Sequence, residues 1–367
     1  ASIGYFSGVD AIALVVFIVA MSITHTFIDF IPSIFLGAPS EDSFLAVLPG
    51  HRMLIQGKGM EAVVLTLYGG LFGLLFVLLF SLLFAKTLPY FFGFIEGVIP
   101  FILIFVSLYL IFKEDKILNG FIVFILTGFL GYFTFNLPVR EPLLPLLSGL
   151  FGVSGLIVSL KSKVKIPTQR EIKFREVNID KSFFRAGVGA IISAPLCSFL
   201  PGIGSGHAGI IGSEIIGKNN EEGRLFLFMV GAISVIVMSF SFVTAYAIGK
   251  TRTGSAAVAQ EILGEISGVN LIIILFSILI SGIIAFFVGV KLAGIFSRNI
   301  NKIDYEKISI GIIVLLIVVN LVLSNWIGLV VLISGSTLGV YCILSGTRRI
   351  NLMGCLLAPS IVYYLAG

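Results

Sequence analysis

Charge is scarce in this sequence. Only 12% of its 367 residues are Asp, Glu, Lys or Arg, about half of the roughly 25% that a soluble domain carries. With 57% hydrophobic residues and a mean hydropathy of +1.11, a water-soluble globule is excluded. The chain has three His and three Cys. Cys197, Cys342 and Cys355 show no metal-ligand spacing and no disulfide framework. There is no H-E-x-x-H or G-x-S-x-G motif, and the His residues are far apart, so no enzyme is expected. Also missing is the alternating pattern, in segments of about ten residues, that an outer-membrane barrel needs. The net charge of +5 sits mostly in loops. It speaks to topology, not to nucleic acid.

What is present is long Ile, Leu, Val and Phe runs, 34 Phe among them. They imply an all-α polytopic membrane protein with about ten to twelve transmembrane helices. The first span runs over 9–36, with His25 and Asp29 four residues apart and so on one helical face. An intramembrane pair of this kind is a candidate ion-coupling site or a mutually satisfied structural pair. Gly37 and Pro39 then break the helix, and Ser40 offers an N-cap for Glu41 and Asp42 in the next first turn, where the dipole favours carboxylates. A short helix over 44–48 is expected to end at Pro49-Gly50, before the polar residues His51, Arg52 and Lys58. Spans follow at 60–85, 88–112, 117–136 and 143–160, with Glu96 a carboxylate well inside the second.

The stretch 161–185 is the one long polar segment, rich in Lys and Arg, and the positive-inside rule makes it cytoplasmic. It divides a first repeat, 1–160, from a second, 186–367. The second opens with a span over 186–200 that runs into SFLPGIGSGHAGIIGSEIIG, residues 198–217. Pro201 rules out a regular helix, and Gly202, Gly204 and Gly206 allow close approach to another group. With Ser205 and His207, this turn into a helix start presents unpaired N–H groups, a ready anion site. The plain alternative is a loop between two helices. Further spans fall at 225–249, 269–296, 308–323, 327–344 and 350–366. Between the first two lie KTRTGS, residues 250–255, and a short helix over 256–263.

The two halves look alike: long span, Gly-containing break, Ser cap, short helix, long span. A displacement of 212 residues sets Gly37 on Gly249, Ser43 on Ser255 and Ala20 on Ala232. Duplication with discontinuous or re-entrant helices at matching places points to a transporter's midplane site. At that displacement the partner of Pro201-Gly202 falls about eleven positions before Ala1. An N-terminal segment with its own Pro-Gly break is therefore expected.

The run ITHTFIDFIPSIFLGAPSEDSFLAVLPGHRMLIQGKGMEAVVLTLYGG resembles the large permease subunit of the tripartite tricarboxylate transporter TctA family, its short archaeal branch above all. LPGIGSGHAG is similar to that family's repeated P-G-x-G element. The resemblance covers 20–75 and 185–265. It implies a secondary transporter of small organic anions in the plasma membrane, driven by an ion gradient. The family's bacterial members work with a small membrane subunit and a periplasmic binding protein. No cofactor is implied beyond Na⁺ or H⁺ as coupling ion. Membrane lipids are the surroundings, and a homo-oligomer is left open.

The expected site places Pro201, Gly202, Gly204, Ser205, Gly206 and His207 around an anionic headgroup. Gly37, Pro39, Ser40 and Ser43 form the opposite wall, and Lys250 and Arg252, with Thr253 and Ser255, add positive charge and hydroxyls. His25, Asp29, Glu41 and Asp42 are the expected ion-coupling residues. Two readings compete. KTRTGS could be an ordinary basic loop in water, because 225–249 is long enough to cross by itself. The glycine break could instead cradle a lipid-linked phosphate such as polyprenyl phosphate.

Overall fold

The computed structural model describes residues 10–36, 44–162, 167–170, 174–198, 205–216, 222–300 and 305–366. The described residues form helices α1 (Ala11–Ile28), α2 (Phe30–Leu36), α3 (Phe44–Ile55), α4 (Gly59–Phe112), α5 (Ile117–Asn136), α6 (Leu143–Leu147), α7 (Ser154–Ser162), α8 (Ser182–Cys197), α9 (Ser205–Ile216), α10 (Glu222–Ile248), α11 (Gly254–Leu263), α12 (Gly268–Asn299), α13 (Tyr305–Leu344) and α14 (Gly354–Ala366). Among them, seven helical stretches are long and apolar enough to cross a membrane, fewer than the ten to twelve expected. The outer surface is apolar, as lipid requires: Phe101, Phe105 and Phe112 are all more than 60% exposed. Several hydroxyls inside the spans are satisfied by their own helix. Ser22, Thr26, Ser234 and Thr244 each donate to the carbonyl four residues back, at 2.7–3.0 Å.

Two boundaries differ from the expectation. First, 60–85 and 88–112 are one helix, α4, of 54 residues. Pro89 forfeits a single backbone bond, and Thr87 turns its hydroxyl onto the Leu83 and Phe84 carbonyls, so the helix continues through Lys86. Second, α3 runs through Pro49-Gly50 to Ile55. Gly50 fits there because α3 lies against α2: a Cβ on it would sit 2.6 Å from Ile34 Cγ1. The expected span at 143–160 is present, with α6 and α7 joined into it by a π-type turn, Ser148–Val153. The break expected near 324–326 is present. Asn325 has φ 65° and separates two helices within α13; its Oδ1 accepts from Ile327 N at 3.0 Å and its Nδ2 donates to Pro138 O at 2.9 Å.

The centre of the molecule is α10, with 89% of its most apolar stretch buried, against 17% for α13. It runs parallel to the first half of α4: Glu61 meets Arg224, Gly73 meets Ala232, and Phe84 stacks on Phe240. The approach is close because a Cβ on Gly231 would lie 2.1 Å from Thr66 O, and one on Gly69 1.9 Å from Phe228 O. The α12 helix is antiparallel to α4, through Leu74 on Gly282 and Leu67 on Gly289. It is parallel to α1–α2, through Phe27 beside Gly282 and Phe35 beside Phe296. It follows that α1 and α10 run in opposite directions. The partnering is reciprocal: α10 packs on α3 and α4, and α1 packs on α11 and α12. A second group forms around α5, α6–α7, α13 and α14. There α14 packs on α5 and α4, and α6–α7 pack on α13.

The polar segment straps one face of the molecule. Gln169 accepts from Gly59 N at 2.8 Å and donates to Leu54 O at 3.0 Å; Tyr68 OH donates to Phe174 O at 3.1 Å. The starts of α4, α8 and α10 lie on this face, called the basic face below.

Candidate functional site

The geometry of the KTRTGS break is set by Ser241. This residue is fully buried in α10, seven positions before the helix ends at Ile248, so it lies about 10 Å inside that end. Gly249 takes φ +65° and turns the chain back. The extended segment then descends along α10 until Ser241 Oγ accepts from Arg252 N at 3.3 Å, Thr253 N at 3.0 Å and Thr253 Oγ1 at 2.9 Å. From there α11 climbs again, with Thr253 as N-cap accepting from Ala256 N at 3.4 Å. Higher up, Gln260 Nε2 donates to Gly249 O at 3.1 Å. The break is thus a fold-back along α10, in which Gly249, Lys250 and Gly254 are exposed and Thr251, Arg252 and Thr253 half-buried. At the start of α11, Ser255 Oγ lies 3.6 Å from Met238 Sδ.

A second break meets it. The α8 helix rises beside α10 from the basic face: the Phe183 ring lies 5.3 Å from that of Phe228, and Gly189 faces Met229. At 16 residues it spans about 24 Å, short of the roughly 30 Å of a bilayer core. Its return partner α9 has 12 residues. The two are antiparallel: Gly189 and Gly212, which touch, lie eight and seven residues from the ends that face the connecting stretch. The end of α8, eight residues beyond that contact, therefore lies about 12 Å further along α10. Arg252 lies within electrostatic reach of Cys197, the last residue of α8. The N-terminus of α11 and the Arg252 guanidinium thus lie together at the depth of Ser241, on the side of the α8 end. Both favour negative charge.

The expected residues fare differently. Ser205 opens α9 and is buried; Thr253 and Ser255 are half-buried at the α11 start; Arg252 is half-buried at the junction. Lys250 is exposed and holds its ammonium over the Phe92 ring, 4.6 Å from the centroid, so it points to α4 and away from the junction. His25 is exposed and Asp29 half-buried. Asp29 serves as the C-cap of α1, its N–H donating to His25 O at 2.9 Å and its carbonyl accepting from Ser33 Oγ at 2.8 Å. Gly37, Pro39, Ser40, Glu41, Asp42, Ser43, Pro201, Gly202 and Gly204 lie outside the described residues, as do the side chains of Glu96 and His207. Gly206 is in the first turn of α9. Ser241 was missed by sequence reasoning. It is one hydroxyl among Ser234, Ser239 and Thr244 in a single apolar run, and nothing in the run distinguishes it.

A separate polar cavity of about 640 Å³ opens on the basic face, among the end of α3, the starts of α4 and α10, and residues 176–178. Arg52, Lys58, Glu61 and Arg224 line it. On this face His51, within α3, has its pKa lowered by burial.

Comparison with known proteins gives the family. The model of the tripartite tricarboxylate transporter TctA family matches residues 2–354, well beyond the two stretches where the resemblance is legible by eye. The uncharacterized protein MJ1079 of Methanocaldococcus jannaschii is 31% identical over 366 residues, covering 96% of this chain and 88% of its own. No solved structure matches. A match spanning nearly the whole sequence, on an all-helical frame of membrane-length helices, shows that the chain belongs to the tripartite tricarboxylate transporter TctA family.

Proposed function

We propose that this protein is an ion-coupled secondary transporter of a small organic anion, and that the anion binds where the α8–α9 tip meets the start of α11. The observation that carries the reading is the fold-back of 249–253 onto Ser241, which holds Arg252 and the α11 N-terminus inside the end of α10, with Arg252 in electrostatic reach of Cys197 at the end of α8. A carboxylate there would accept from the backbone N–H groups opening α9 and α11 and from Arg252. Freed carbonyls at the same breaks suit Na⁺. No bond is made or broken, and the protein's work is to bind and release.

Two inverted repeats are the frame for this activity. Three features support them: equal spans of 26 residues at Ala11–Leu36 and Gly223–Ile248, their opposite directions, and the reciprocal partnering of α1 with α11–α12 and α10 with α3–α4. In such a frame, rocking one repeat against the other alternates access to a fixed midplane site. The α8–α9 pair is read as re-entrant from the cytoplasm, because its tip stops short of a full crossing and the basic face carries the Lys/Arg-rich segment. The plasma membrane is the expected location, and a small membrane subunit and an extracytoplasmic binding protein are the expected partners.

The test is thermal stabilisation of the purified chain by citrate, other di- and tricarboxylates, phosphate and polyprenyl phosphate, with and without Na⁺. A ligand that binds only the folded state raises the midpoint by mass action. A shift with carboxylates that is lost in Arg252→Gln and Ser205→Ala supports the proposal. A shift with the lipid phosphate alone replaces it by lipid transport.

A further inference from the structure

The cavity on the basic face is closed at its inner side by an ion pair that the transport site does not use. Arg224 Nε lies 2.9 Å from Glu61 Oε1, its Nη2 donates to Asn178 O at 3.0 Å, and its guanidinium sits 5.6 Å from the centre of the Phe183 ring. One side chain thus ties together the starts of α4, α8 and α10 and the polar strap. Glu61 stands in the first turn of α4, where the helix dipole favours a carboxylate. Both side chains are largely withdrawn from water, at 22% and 13% exposure. Around them the cavity presents Arg52, exposed, and Lys58, half-buried, with the amide of Gln56 and, at the strap, the exposed carboxylate of Glu176.

We infer that this cavity is a vestibule for a small oxyanion carrying two or more charges, and that Glu61 is a built-in competitor whose place on Arg224 the anion takes. The inference rests on the transport reading given above. Its volume, about 640 Å³, lies within the range of about 300–1,000 Å³ usual for small-ligand sites. A multiply charged carboxylate satisfies the Arg52 and Lys58 cations with one group and the Arg224 fork with another, releasing α4 from α10. Cations at a cavity mouth also raise the local concentration of anions.

The pair does not follow from the duplicated frame. At the displacement of 212, Glu61 falls on Ile273, Arg224 on Ile12, Lys58 on Asn270 and Arg52 on Gly264. A lock at one end of a duplicated frame is what control of one access route requires. Simple maintenance of the fold would not need it at one end and dispense with it at the other.

The experiment uses the full-length purified protein, with citrate and inorganic phosphate as probes. Acylation of Lys58 by an amine-reactive reagent is followed by mass spectrometry, and citrate affinity by calorimetry. Citrate is expected to slow Lys58 labelling in the wild type. Glu61→Gln is expected to bind citrate about tenfold more tightly, through removal of a competing charge-assisted bond. Arg52→Gln with Lys58→Gln, both on the cavity wall, reverses that gain. Unchanged Lys58 labelling at saturating citrate overturns the inference, and that result stands even if Glu61→Gln fails to fold. So does a Glu61→Gln affinity equal to or weaker than wild type. Protection by phosphate alone, without citrate, restricts the ligand to inorganic oxyanions and overturns the carboxylate assignment. Arg252→Gln separates the two sites. Lys58 protection that survives it, with uptake lost, supports both readings. Lost uptake without Lys58 protection rejects the vestibule alone, and protection with undiminished uptake rejects the central site alone.

Discussion

Ser241→Ala removes one oxygen and should undo the break on which the proposed anion site is built. Ser241 Oγ accepts from two backbone N–H groups and one hydroxyl of the returning segment. The Thr253 N–H bond, at 3.0 Å, is the better of the two backbone bonds, and the Arg252 bond, at 3.3 Å, the weaker. Leaving a buried donor without a partner costs about 1–3 kcal/mol, so two orphaned N–H groups cost about 2–6 kcal/mol if nothing relaxes. Relaxation is available, because residues 249–253 can swing away from α10 while α10 keeps its own helix. The loss should therefore be local. Hydrogen exchange at 250–256 is expected to rise by tenfold or more, the midpoint of global unfolding to move little, and anion binding to fall with the local opening. Ser234→Ala is the control, since that hydroxyl donates to its own helix at Val230 O and should be close to neutral. Wild-type exchange at 250–256 together with wild-type binding in Ser241→Ala would refute the reasoning.

Gly231→Ala places a Cβ 2.1 Å from Thr66 O at the α4–α10 contact; thermal melts should show a loss of about 1–3 kcal/mol or more. Gly311→Ala, where an added Cβ meets nothing within 4 Å, should be neutral or stabilising by up to about 1 kcal/mol. Asn325→Ala loses the cap on Ile327 N at 3.0 Å, worth about 1 kcal/mol, and keeps the unfavourable φ of 65°. Asn325→Gly relieves that φ and should be the milder substitution in the same melts. Burial lowers the pKa of His51 from 6.5, so its neutral form is the one that folding favours. Its contribution is complete above pH 6.5 and is lost as pH falls through that value toward the folded-state pKa. His51→Gln should flatten the acid limb of a melting-temperature profile and leave pH 8 unchanged.

Much of the frame was legible because lipid simplifies the code. Long apolar runs bounded by charges mark helices, and Asn325 or Gly249 mark breaks where backbone conformation matters more than hydropathy. Hydropathy failed where it had to choose between a bend and a break. Lys86-Thr87 with Pro89 reads like a loop, yet α4 continues, since one missing bond does not end a helix whose neighbours supply packing. Pro49-Gly50 reads like a stop, yet Gly50 is there for contact with Ile34. The site was half legible. Gly, Pro, Ser and Arg in otherwise apolar sequence announced the two breaks, but their meeting depends on Ser241, one hydroxyl in a run of four. Lys250 and Arg252 look equivalent in sequence. One stacks on Phe92 and the other lies in electrostatic reach of Cys197 at the end of α8, a difference made by the turn at Gly249.

The most direct test of the central claim is uptake of labelled di- and tricarboxylates into proteoliposomes under a Na⁺ or H⁺ gradient, comparing wild type, Arg252→Gln and Lys250→Gln. The account predicts gradient-dependent uptake of at least one anion, abolished by Arg252→Gln and largely kept by Lys250→Gln. Uptake that survives Arg252→Gln, or that fails in Lys250→Gln alone, would contradict it.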